Sequence, residues 1–178
     1  MRWLALRSAR SLRARLALVA AGSILLAVVV FGAATVLLVH AELRDSLDSA
    51  LRERAQEVAQ LAVSTPAVLT QPGALESPVS GREVLVEVVD ARGRIVARSL
   101  SLGAELLPQD ALARAARLHG RTGAEDIVLG GRPLRLYAAP IASGAGPAAG
   151  GAVLVASDMS DISTTTARLG VLIALVGA

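Results

Sequence analysis

The longest apolar run in the chain is Leu16 to Val39, LALVAAGSILLAVVVFGAATVLLV, 24 residues without a charge. As a helix it would rise about 36 Å, enough to cross a hydrocarbon core of roughly 30 Å. A cleaved leader is the alternative, and Val-His-Ala at 39–41 has the look of a cleavage site. The apolar region of a leader is much shorter, about 15 residues at most, so the pattern predicts a retained anchor. At the other end, Arg168 is followed by ten uncharged, mostly apolar residues. Ten residues do not span a bilayer, and the expectation is that 167–178 begins a second span of a longer protein. A buried C-terminal core helix is the other reading of that stretch.

Between these ends the period changes several times. Over 42–63, Leu43, Leu47, Leu51, Ala55, Val58 and Ala62 recur every three or four residues, and neither Gly nor Pro interrupts. This predicts a helix with one apolar face, continuous with the first span. Arg44, Asp48 and Arg52 stand four apart and read as intrahelical pairs on its solvent side. Residues 64–81 carry three Pro and two Gly and read as a loop. Glu83 to Val89 then alternates, with Val84, Val86 and Val88 facing one way and Glu83, Leu85, Glu87 and Val89 the other. Asp90 and Gly93 suit the first and last positions of a type I turn, and Arg94–Ser99 returns as the partner strand.

A short helix follows, opened by Pro108 and Asp110 and closed at Gly120, with Arg114, Arg117 and His119 toward its C-terminal end. A second hairpin about Gly130-Gly131 and a fifth strand at 152–157 complete the pattern, and Asp158 and Asp161 can cap an exit helix. The expected fold is α+β: two transmembrane helices, 16–39 and the incomplete 167–178, flank a domain at 40–166. That domain holds the long helix 42–63 and a five-stranded antiparallel sheet within 83–157, with helices on one sheet face.

Charge gives this layout a direction. Arg2, Arg7, Arg10, Arg13 and Arg15 precede the first span with no acid among them, whereas 40–166 has 12 Arg against 15 acids. The basic excess is therefore a tail at 1–15, which places the N-terminus in the cytoplasm and 40–166 outside. It is not a nucleic-acid surface, and no nucleic-acid partner is expected. With no Cys there is no disulfide frame or thiolate site.

Signatures of catalysis are lacking: the chain has no nucleophile elbow, no zinc-protease motif and no phosphate-binding loop. Gly-Ala-Gly-Pro-Ala-Ala-Gly-Gly at 144–151 lacks the Lys and Ser/Thr of such a loop. His119 reads as a helix-end residue, and Glu125-Asp126 supplies too few ligands for a cation. No catalytic, cofactor or metal residue is assigned. The one candidate ligand set is Arg98, Arg135 and Tyr137, two guanidiniums and a phenol suited to a carboxylate or phosphate; solvent-facing sheet residues are the plainer reading.

The segments SLRARLALVAAGSILLAVVV, LRDSLDSALRERAQEVA, VEVVDARGRIVARS and VLVASDMSDISTTTARLGVLIALVG together resemble the amino-terminal sensor region of bacterial membrane-bound sensor histidine kinases. The resemblance covers essentially the whole chain and rests on patterns, with no catalytic signature. It implies a PAS-like outer domain, a homodimer in the inner membrane, and transmembrane signalling to a cytoplasmic kinase. ATP, Mg and a cognate response regulator would belong to that kinase, beyond this chain. The same outer module on a diguanylate cyclase or chemoreceptor, or a membrane-anchored binding protein, is the alternative. Ala20, Ala27 and Ala34 repeat every seven residues where a partner helix could approach.

Overall fold

The computed structural model describes residues 3–71, 73–76, 78, 83–144 and 146–160. The expected second span at 167–178 and the Asp161 cap lie outside the described residues. The chain divides into two compact units, one with Met1–Glu42 and the other Leu43–Ser163.

Helix α1 runs from Trp3 to Ser64. It takes in the basic tail, the apolar run and the amphipathic stretch, because no Pro and few poor helix formers interrupt these 62 residues. It is long and apolar enough to cross a membrane: its best window has a mean hydropathy of 2.6, and none of that window is buried. In the 16–39 stretch most of the large apolar side chains lie exposed, Phe31 and Leu18 among them.

The second unit is α+β. After α1 come α2 (Pro66–Leu69), β1 (Val84–Val89), β2 (Ile95–Arg98), a 3-10 turn (Leu100–Leu102), α3 (Ala111–His119), β3 (Gly123–Leu129), β4 (Arg132–Pro140) and β5 (Ala152–Asp158). The five strands form one antiparallel sheet in the order β2-β1-β5-β4-β3. The last strand thus inserts between the two hairpins and becomes the centre of the sheet. Its sequence, AVLVASD, is buried on both faces through Ser157, as a central strand requires.

Local chemistry shapes the hairpins. In the first, Gly93 N–H donates to the Asp90 carbonyl (2.9 Å), and the Asp90 carboxylate accepts from the N–H groups of Arg92 and Arg94. Gly93 has φ +82, so the turn ends in a left-handed residue and a bulge. In the second, Gly130 and Gly131 both have positive φ, the requirement of the tight two-residue hairpin. Pro133 stays within β4 because β5 pairs only from Leu134 onward, so its missing N–H costs no bond in the central ladder. Helix α3 begins where expected: the Asp110 side chain accepts from Leu112 N–H, and Gly120 closes the helix in the left-handed region.

The expectation of helices on one sheet face fails. Val84, Val86 and Val88 do share a face, packed with Leu47, Leu51, Ala55, Val58 and Ala62 of α1. Leu85 and Val89 face the other way, into a second core with Ala113 and Ala116 of α3, Leu102 and Leu107. The sheet is therefore the middle of three layers. Its two cores are built mainly from Val, Leu and Ala, with Tyr137 as the buried aromatic among the described residues. The predicted loop at 64–81 also contributes, since Leu69 and Leu75 are buried. Leu43, expected on the apolar face of α1, is instead 42% exposed.

Candidate functional site

Charged groups gather where α1 crosses the sheet. Arg44, Asp48 and Arg52 do not pair with one another on a solvent face. They turn toward β3 and β4. Arg135 grips Asp48 with both oxygens engaged: Nε donates to Oδ1 and Nη2 to Oδ2, each at 2.7 Å. Arg135 Nη1 donates to Asp126 Oδ1 at 2.7 Å, and Arg44 Nη2 to Asp126 Oδ2 at 2.8 Å. Arg52 Nε donates to the Tyr137 hydroxyl at 3.2 Å.

This ladder follows from matched periods. One helical turn from Asp48 to Arg52 rises about 6 Å, and two strand residues from Arg135 to Tyr137 rise about 6.8 Å. Two rungs can form side by side without distorting either element. Asp48 holds the Arg135 guanidinium firmly charged, and Asp126 adds to this against the opposing effect of burial. Arg135 is only 17% exposed, so its bidentate pair sits in a partly dehydrated seam where a missing partner is costly.

Two of the three residues proposed from sequence, Arg135 and Tyr137, therefore do share one face of β4, and their polar atoms are taken up by α1 and by Asp126 of β3. Arg98 does not join them. It lies on the edge strand β2, three strand spacings from β4, about 14 Å across the sheet. It is also the register partner of Glu87, which puts it on the α3 side. The trio does not form one ligand site. Glu125 and Asp126 are likewise divided: Asp126 enters the ladder, while Glu125, the register partner of Leu136, lies on the α3 side.

A cleft of about 350 Å³ lies along β2, bounded by Leu69, Leu75, Glu76, Ile95, Arg98 and Leu100 among others. Glu76 Oε1 accepts the Leu100 N–H there, which ties the segment after α2 to the end of β2. The cleft is open to solvent and shares no residue with the ladder.

Sequence reasoning missed Glu87. The alternation placed it facing water, yet its side chain is fully buried. Its carboxylate accepts Leu107 N–H at 3.2 Å and the Gln109 amide at 3.4 Å. Burial pushes this carboxyl above its ordinary range, and the two hydrogen bonds and Arg98 only partly oppose that. The available signal was the near-continuous run Val-Leu-Val-Glu-Val-Val, which marks a strand covered on both faces. Among the described residues no group of three or more His, Cys, Asp or Glu could hold a metal ion. No protein-family model matches the chain, and no curated protein matches it.

Proposed function

We propose that this chain is the membrane-spanning input region of a sensor histidine kinase, carrying an extracytoplasmic stimulus to a cytoplasmic kinase. In this reading the N-terminus is cytoplasmic, 16–39 crosses the inner membrane, 40–166 is outside and 167–178 begins the return. The outer domain is PAS-like, a reading supported by its order of long helix, hairpin, helix and three strands, with β5 drawn back beside β1. Two copies pair, and the kinase with its ATP, Mg and response regulator acts on the other side.

The observation that carries the reading is α1 itself. One helix contains both the apolar run and the face that the sheet buries, and the ladder fastens that face to β3 and β4. A sheet that changes shape on binding would pull on Asp48, and α1 would carry the shift inward. Such a stimulus acts only if it binds two arrangements with different affinity.

The test is a fusion of residues 1–178 to a cytoplasmic histidine-kinase core whose autophosphorylation can be measured in membranes. Arg135→Ala, which removes the Asp48 rung between α1 and β4, should reset basal phosphorylation, whereas Arg121→Ala, remote from the ladder, should not. A kinase level indifferent to every ladder variant that still folds would contradict the reading.

A further inference from the structure

Arg54 on α1 is a buried cation that the ladder does not use. Its side chain is 4% exposed, and its partner is Glu57 on the same helix, whose Oε2 accepts from Nη1 at 2.7 Å. Nε and Nη2 are buried and meet no acceptor among the described residues. Those are the two nitrogens that Arg135 turns on Asp48, Nε to one oxygen and Nη2 to the other. The edge of the guanidinium that takes a carboxylate in two-pronged fashion is therefore filled in Arg135 and unpaired in Arg54. A buried charge with two donors unmet favours any anion that can reach it.

The ladder fixes where that edge lies. Arg52 is level with Tyr137, and register carries this level across the sheet: Tyr137 pairs with Val155, Val155 with Val86, and Ser99 N–H donates to the Val86 carbonyl. Arg54 comes two residues later, about 3 Å farther along and turned by about 200°. It thus stands near the level of Ser99, on the flank of α1 away from β4 and toward β2. The cleft of about 350 Å³ runs along that edge of the sheet, and Arg98 and Leu100, the neighbours of Ser99, line it. From its other wall, Leu69 and Leu75 enter the same core as Leu51 and Val58, which flank Arg54 one turn to either side on α1.

We propose that this cleft binds a small aliphatic carboxylate, with its apolar body along Leu69, Leu75, Ile95 and Leu100 and its acid group held side-on by Arg54 Nε and Nη2. The volume suits a small molecule, and the apolar walls call for a ligand that is more than an inorganic anion. Arg98 adds a second positive charge at the cleft. Glu76 is the opposing carboxylate, and its Oε1 is taken by Leu100 N–H. That bond ties the Leu75–Glu76 strap to β2, and the acid group enters past it, because the Arg54 edge is closed to solvent while the strap is seated. Binding joins α1 to the β2 edge and is independent of what α1 signals to.

Isothermal titration of the full chain in lipid nanodiscs, with empty discs subtracted, tests the site with hexanoate as the probe. Hexanoate should saturate, and hexanamide, of the same shape without the charge, should bind about tenfold or more weakly. Arg54→Met should abolish hexanoate binding while its thermal melt stays level with or above that of the unaltered chain, since it removes a buried charge with unmet donors. Arg54→Lys keeps a charge and loses the fork, and should weaken hexanoate about tenfold. Ile95→Glu, which sets a like charge on an exposed part of the wall, should weaken it as well. Equal affinity for hexanamide, or unaltered hexanoate binding in the Arg54 variants, would overturn the site. Inorganic phosphate that saturates where hexanoate does not would overturn the aliphatic carboxylate as its ligand. A melt of Arg54→Met far below that of the unaltered chain, with hexanoate affinity unmoved in Arg54→Lys, would make Arg54 a structural residue only.

Discussion

Val86→Asp abolishes the cooperative melt of the α+β domain. Val86 is fully buried on β1 in the apolar core that α1 covers. An unpaired charge there costs several kcal/mol, more than about 4, a large share of the 5–15 kcal/mol that holds a domain of this size. One residue further on, Glu87→Ala also costs stability, about 1–3 kcal/mol, because it leaves the Leu107 N–H buried without an acceptor. Circular dichroism melts of the chain in detergent separate the cases. If Val86→Asp melts like the unaltered protein, the three-layer packing is wrong.

The second large effect falls on the ladder. Arg135→Ala leaves Asp48 without its bidentate partner and Asp126 with only Arg44, for a loss of about 2–3 kcal/mol. Asp48→Ala removes the same rung from the other side. Because the two residues share that rung, the double variant should lose clearly less than the sum of the singles, with a coupling of about 1–2 kcal/mol. Urea titrations of the four proteins measure it. Strict additivity would mean that the rung contributes nothing between α1 and β4. The exposed pair Arg132–Glu105 at 3.1 Å is the contrast: its removal should cost less than about 1 kcal/mol.

What the sequence revealed of this fold is the part decided by neighbours. Asp90 and Gly93 make their turn from hydrogen bonds within five residues, Asp110 and Gly120 bound α3 from its own ends, and Gly130-Gly131 forces the second hairpin. The layering was not legible, because a glutamate on an alternating strand normally signals water. Glu87 is instead satisfied by Leu107 and Gln109, some 20 residues away. The ladder was hidden for a related reason. Charges four apart on a helix look the same whether their partners lie on that helix or on a strand, and Arg135 is 87 residues from Asp48. Spacing of two along a strand is enough to put Arg135 and Tyr137 on one face; that α1 and Asp126 are their partners, and that Arg98 lies three strands away, depends on a strand order no local pattern carries. Register then sends Arg98 to Glu87.

The placement of the domain outside the membrane underlies the whole functional reading, and fusions to a reporter active only after export test it most directly. Joined after residue 41 and after residue 160, the reporter should be active at both points, and joined within the Arg-rich tail before Leu16 it should be inactive. Activity before Leu16, or silence at 41 or 160, would contradict the proposed topology and with it the role as a sensor.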